Sequence, residues 1–238
     1  MKILDQLWPQ TRAHARWLPL VYAPGLALIG LVAYVDAQTR FPASFILRDA
    51  ASTVEQPFFL GAMSNLGVVL WFAAGAICLF AASVLRRIEP ASERALFFFS
   101  AGLLTVTMAL DDLLQFHEEI VAELIFAHKK ILGLFDGEIL VMGFYVLALS
   151  FILIRWNGLI RTTDYLFLLV ALAFFLMGVA ADRGIIGGSV VKDKEVRVIL
   201  EDGCKFLGIT GWLHYFTRTA RQQVLSALSP RAASDGTV

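Results

Sequence analysis

Six separate stretches of this chain are each apolar over roughly the length a helix needs to cross a lipid bilayer. They run over residues 17–35, 61–85, 95–116, 139–154, 165–181 and 196–216. A helix rises about 1.5 Å per residue and the hydrocarbon core is roughly 30 Å thick, so about 20 apolar residues span it. Lipid offers no partner to a free backbone amide, so runs of this kind must be helices. The expected fold is all-α: a polytopic bundle of six transmembrane helices. Composition agrees, because 58% of the residues are hydrophobic and 17% charged. Ordinary soluble domains carry about 25% charged residues, and they use them to cover their surface.

Lysine and arginine placement sets orientation in such proteins. Arg86, Arg87, Arg94, Arg155, Arg161, Arg218 and Arg221 fall on one side of the expected bundle, with Arg12 and Arg16 before the first span. With Lys2 and Arg231 these make eleven cations, against eight on the other side (Arg40, Arg48, Lys129, Lys130, Arg183, Lys192, Lys194 and Arg197), a modest excess. The acids crowd that other side, and together the two predict both termini inside. The first span reads as a retained helix rather than a cleaved leader, since Tyr34-Val35-Asp36-Ala37 is a poor cleavage site. Residues 1–220 are expected to form one six-helix domain, and residues 221–238, ending in Ser-Asp-Gly-Thr-Val, a disordered cytoplasmic tail. The net charge is zero, which points away from a nucleic-acid partner. Membrane lipids are the expected surroundings.

Against this apolar background the ionisable residues stand out. Each costs about 2.5–3.5 kcal/mol at the centre of a spanning helix. The third span carries Asp111 and Asp112, then His117 and Glu118. An unbroken helix would set Asp111 and Glu118, seven apart, on one side. The fourth span opens near Glu138, the fifth closes on Asp182, and the sixth holds Glu201, Asp202 and Lys205. Ser64 and Asn65 begin the second. With both termini inside, all of these share one level near the outer surface. Glu118 and Glu138 also suit solvated helix ends, and Glu201 with Lys205 suits an i,i+4 ion pair. Cys204, Gly208 and Gly211 give the sixth helix a face of small residues for close packing.

Carboxylates with an imidazole suit a divalent metal: zinc, iron or manganese. The candidate ligands are Asp111, His117, Glu118, Glu138 and Glu201. Asp112 would then serve as general base and Lys205 would stabilise developing negative charge. Neither the Glu-x-x-His pairs of di-iron bundles nor His-Glu-x-x-His occurs.

The segments Leu110-Asp111-Asp112 followed by His117-Glu118, and Glu201-Asp202-Gly203-Cys204-Lys205-Phe206-Leu207-Gly208, resemble those of a group of uncharacterised bacterial multi-pass membrane proteins. Ser64-Asn65-Leu66-Gly67 and Trp71 add to the likeness. It implies the bacterial cytoplasmic (inner) membrane and brings no activity with it. The residues themselves lead to an expected intramembrane metal-dependent enzyme, a hydrolase or an oxidase, acting on a lipid or hydrophobic substrate near the outer leaflet. An ion- or proton-coupled transporter and a structural or assembly protein are the alternatives.

Overall fold

The computed structural model describes residues 59–116, 137–182 and 194–229, together with residue 57 and scattered positions between 23 and 38. His117 and Glu118 lie outside the described residues, as do the side chains of Glu138 and Asp182. Every described regular element is a helix, in keeping with the all-α expectation. Contacts divide the chain into two compact units, Met1–Ala62 and Met63–Val238. The boundary falls at the start of the second apolar run, so the first run and the connection that follows it belong to the first unit. In the first unit the described positions between 23 and 38 are helical.

The second unit contains α1 (Ala62–Ile88), α2 (Glu93–Leu114), α3 (Gly137–Arg155), the single turn α4 (Asn157–Ile160), α5 (Leu166–Asp182) and α6 (Lys194–Leu228). The apolar runs fix the helices, and polar or helix-breaking residues fix their ends. Between α1 and α2, Pro90 interrupts the ladder. Ser92, in extended conformation, then opens α2. The other end of α2 is more abrupt: Gln115 takes a left-handed conformation (φ 51°, ψ 38°) and its N–H reaches back to the Asp111 carbonyl. A non-glycine residue there costs about 1–2 kcal/mol. The shared face of Asp111 and Glu118 assumed an unbroken helix; α2 ends at Leu114, and Glu118 lies outside the described residues. The disordered tail from residue 221 is replaced, as far as Leu228, by the continuation of α6. Thr219, Ala220 and Gln223 are buried there, so these turns have a core side to hold them.

Among the described residues, α1 and α2 are long and apolar enough to cross a membrane, and α3 and α5 hold shorter apolar helices. The core of the unit is built from small residues on α1 (Ala74, Cys78, Ala81) and large ones elsewhere, among them Phe97, Phe98, Tyr215 and Phe216. An aromatic cluster crosses its middle. Trp71 stacks on Phe175 at 5.5 Å and meets Trp212 edge-on at 5.8 Å, and Trp212 lies 4.9 Å from Phe216.

The expected small-residue face of α6 is present. A Cβ added to Gly208 would come within 2.6 Å of the Phe175 ring, and one on Gly211 within 3.2 Å of Ala171. Helix α5 therefore lies almost backbone to backbone on α6.

Candidate functional site

Three residues of α2 make polar links to α6, and Arg94 makes two of them, donating also to Ser226 at 2.9 Å, three residues beyond Gln223. Arg94 donates to the Gln223 side chain at 3.3 Å, the Trp212 indole N–H donates to Thr105 at 3.1 Å, and the Lys205 ammonium pairs with Asp112. Going along α2, the links are eleven and seven residues apart, and with Gln223 taken as the partner of Arg94 the same steps separate their partners on α6. Eleven and seven both approximate whole numbers of helical turns, so each set lies along one face of its helix. The two helices are thus antiparallel and in one register. At 1.5 Å per residue the terminal rungs are about 27 Å apart. The outer two carry charge and the middle one is neutral.

At the Asp112 end, α2 contributes two adjacent aspartates that turn to different neighbours. Successive helical residues point about 100° apart. Asp112 takes Lys205 of α6, while Asp111, buried to 6% exposure, has the Tyr145 phenol of α3 within hydrogen-bonding reach. Asp112 is largely shielded, but nearly half of the Lys205 side chain stays exposed. That ammonium is therefore open to solvent on the side away from the carboxylate. The i,i+4 spacing suggested Glu201 as the partner of Lys205; the ion pair that Lys205 makes among the described residues is with Asp112 across the helix interface.

Glu201, one turn before Lys205, is half-buried, and Asp202 is exposed. Helix α5 approaches the Glu201 backbone closely. A Cβ on Gly178 would lie 3.3 Å from the Glu201 carbonyl and 3.7 Å from the Cys204 side chain, which only a glycine leaves room for comfortably. Ser64 and Asn65 are exposed in the first turn and a half of α1, and among the described residues neither hydrogen-bonds to this group. The structure thus gathers Asp111, Asp112 and Lys205, adds Tyr145, and leaves Ser64 and Asn65 outside.

No three His, Cys, Asp or Glu side chains among the described residues converge in the manner of a metal site. Of the five expected ligands, Asp111 and Glu201 have described side chains, on α2 and α6. Tyr145 was missed in the sequence because a lone tyrosine in an apolar span looks like packing. Its only signal was a phenol that must find an acceptor when buried. His214 rests against Phe167 with ring centroids 4.4 Å apart, well away from this end.

A family model described as "Domain of unknown function (DUF8692)" matches residues 23–219. The chain belongs to that family. The matched region of this family member takes in the helical positions after residue 22 and α1 to α5. It also includes every residue of the Asp112 group and most of α6. Searches of curated proteins and of solved structures return no match.

Among the described residues, the aromatic cluster lies between the Asp112 group and the Arg94 end. Trp212 stands seven residues, or about 10 Å, below Lys205 and is buried with Trp71. Two carboxyls, a phenol and a half-exposed ammonium make up the group's chemistry.

Proposed function

We propose that this is a multi-pass membrane protein of six spanning helices with both termini inside, whose Asp112 end is an outer-leaflet active site. The substrate is a lipid or another hydrophobic molecule, and the reaction is a metal-dependent hydrolysis or oxidation. Membrane placement is supported by the 27 Å or so between the charged rungs, close to the thickness of the hydrocarbon core. Large apolar side chains between those levels face outward, including Leu147, Ile154 and Leu176, each more than 70% exposed. In water such a surface would drive association. Seven arginines at the Arg94 end agree with the inside orientation.

The observation that carries the catalytic reading is the meeting of Asp111, Asp112, Tyr145 and Lys205 from three helices at one level. An acidic pair in the last turn of an apolar spanning helix carries a cost that such partners offset. Asp112 would take a proton from the attacking group once substrate draws Lys205 away. Lys205 would then neutralise the oxyanion that forms, and Tyr145 would hold Asp111 in one orientation. Asp111 and Glu201, with His117, Glu118 and Glu138, would hold the metal. When bound, it would supply Lewis-acid polarisation of a carbonyl or phosphoryl group and an acidified water.

Element-resolved metal analysis of the purified protein tests this. The expected result is a stoichiometric divalent metal that is lost from Asp111→Asn and Glu201→Gln while both variants remain folded. Folded protein without bound metal, also after incubation with zinc, iron or manganese, would remove the metal-dependent reading. The α2–α6 register favours a second reading, in which the charges serve assembly and fix helix alignment. Under it, substitutions at Asp112 and Lys205 change stability alone. A carrier is less well supported, because the aromatic cluster lies across the route a transported ion would take.

A further inference from the structure

The Arg94 end holds more cations than the fold uses. Three described acids there bind arginines: Glu89 holds Arg94 at 2.5 Å, Glu93 holds Arg155 at 2.7 Å, and Asp164 holds Arg218 at 2.5 Å. Arg86, Arg87, Arg161 and Arg221 form no ion pair among the described residues. Arg221 differs from the other three because it lines a cleft. That cleft, about 260 Å³ in volume, lies between the turn before α5 and the last turns of α6. Its walls are Asp164, Arg218, Arg221, Gln222 and Leu225.

The cleft is chemically one-sided. Both Arg218 nitrogens engaged with Asp164 share a single carboxylate oxygen, Oδ2, which neutralises that acid and leaves the other guanidinium nitrogen available. Arg221 adds an unshared guanidinium and Gln222 an amide. A net positive, donor-rich hollow of this size suits a phosphate ester. Its surroundings narrow the source. Arg221 is nine residues beyond Trp212, about 13 Å along the axis, which sets it at headgroup depth in the membrane proposed above. Asp164 stands two residues before Leu166, and Leu166 and Leu169 are exposed on the adjoining turns of α5. Apolar chains attached to the phosphate would run back along these leucines.

We infer that this cleft is a binding site for the headgroup of an anionic phospholipid of the inner leaflet. The inference rests on the membrane placement proposed above and is independent of the chemistry at the Asp112 end. Native mass spectrometry of the detergent-purified full chain, titrated with phosphatidylglycerol or phosphatidylcholine, tests it. Phosphatidylglycerol should be retained in preference, and Arg221→Gln should weaken it about fivefold. Arg221 holds no ion pair, so this variant should unfold at the wild-type temperature. Arg87→Gln, at the end of α1, should leave the affinity unchanged. Equal retention of the two lipids overturns the inference, as does an Arg221→Gln protein that binds like wild type. Equal weakening by both substitutions would mean diffuse charge rather than a site. Displacement of the lipid by an equal concentration of inorganic phosphate would assign the cleft to a free anion. A chain that stays monomeric without detergent would sink the membrane placement itself, whereas loss of lipid preference in a detergent-dependent protein sinks this inference alone.

Discussion

Asp112 and Lys205 were both visible in the sequence as charges inside apolar runs, but their pairing was not. The i,i+4 rule offers Lys205 a partner on its own helix, and only the docking of α2 against α6 presents Asp112. Because much of Lys205 meets solvent, the pair should behave more like an interfacial ion pair than a buried one. A double-mutant cycle of Asp112→Asn and Lys205→Met, read by thermal unfolding in detergent, should give a coupling of about 1 kcal/mol. A coupling indistinguishable from zero would mean that the contact does not set the register. At the other end of the same helix, the Arg155 guanidinium donates to Glu93, and its charge and the Trp156 indole N–H add to the effect. Together they hold the Glu93 carboxyl below its ordinary value of about 4.5. A carboxyl lowered in the folded state contributes stability that is complete above the unfolded value and disappears as pH falls through the folded one. Stability of the wild type should therefore fall relative to Glu93→Gln when the pH is taken from 6 down through the carboxylate range. Parallel curves for the two proteins would count against the contact.

Helices α5 and α6 pack through glycine, and the sequence announced this by the spacing of Cys204, Gly208 and Gly211. What it could not announce was the ring that fills the gap. Phe175 sits between Gly208 and Trp71, with the indole stacked on its far face, so it cannot retreat from an added methyl. Gly208→Ala should lower stability by about 1–3 kcal/mol. Adding Phe175→Leu to that variant should recover part of the loss, which a scan of unfolding temperature would register. If Gly208→Ala melts with the wild type, the close approach is not present in solution. The end of α2 makes a similar point about elements. Leu113-Leu114-Gln115-Phe116 reads as helix by composition, but Gln115 adopts a left-handed conformation and stops it. Local preference would not choose that stop, and it falls beside the two aspartates. Strain of this type tends to collect where side chains are held for function.

At the scale of the molecule, two levels of charge are separated by a layer that is neutral inside and apolar outside. Cys78 and Cys204 are buried, so a cysteine introduced at the surface can be labelled selectively. Asp202→Cys should react with a membrane-impermeant thiol reagent on intact cells, and Ser229→Cys only after the cells are opened. The same pattern at both positions would remove the spanning arrangement. The division into two compact units at Ala62 also belongs to this scale. Apolar runs count helices, but they carry no information on which helices pack together.

Sequence alone determined where the helices of the second unit lie, to within a few residues for α1, α2, α3 and α5, because apolar length and the demands of the backbone leave few choices. It also identified most of the charged residues that gather at one end, since charges in such runs need a reason to persist. Tertiary structure decided which of them meet: Asp112 with Lys205, Asp111 with Tyr145, and neither with Ser64 or Asn65. It also drew the end of α6 out to Leu228, where the burial of Thr219, Ala220 and Gln223 outweighs a polar composition. The physical reason is the same in each case. Hydropathy is a property of one segment, whereas a partner depends on the rotation and register of two helices, which are fixed by side chains far apart in the chain.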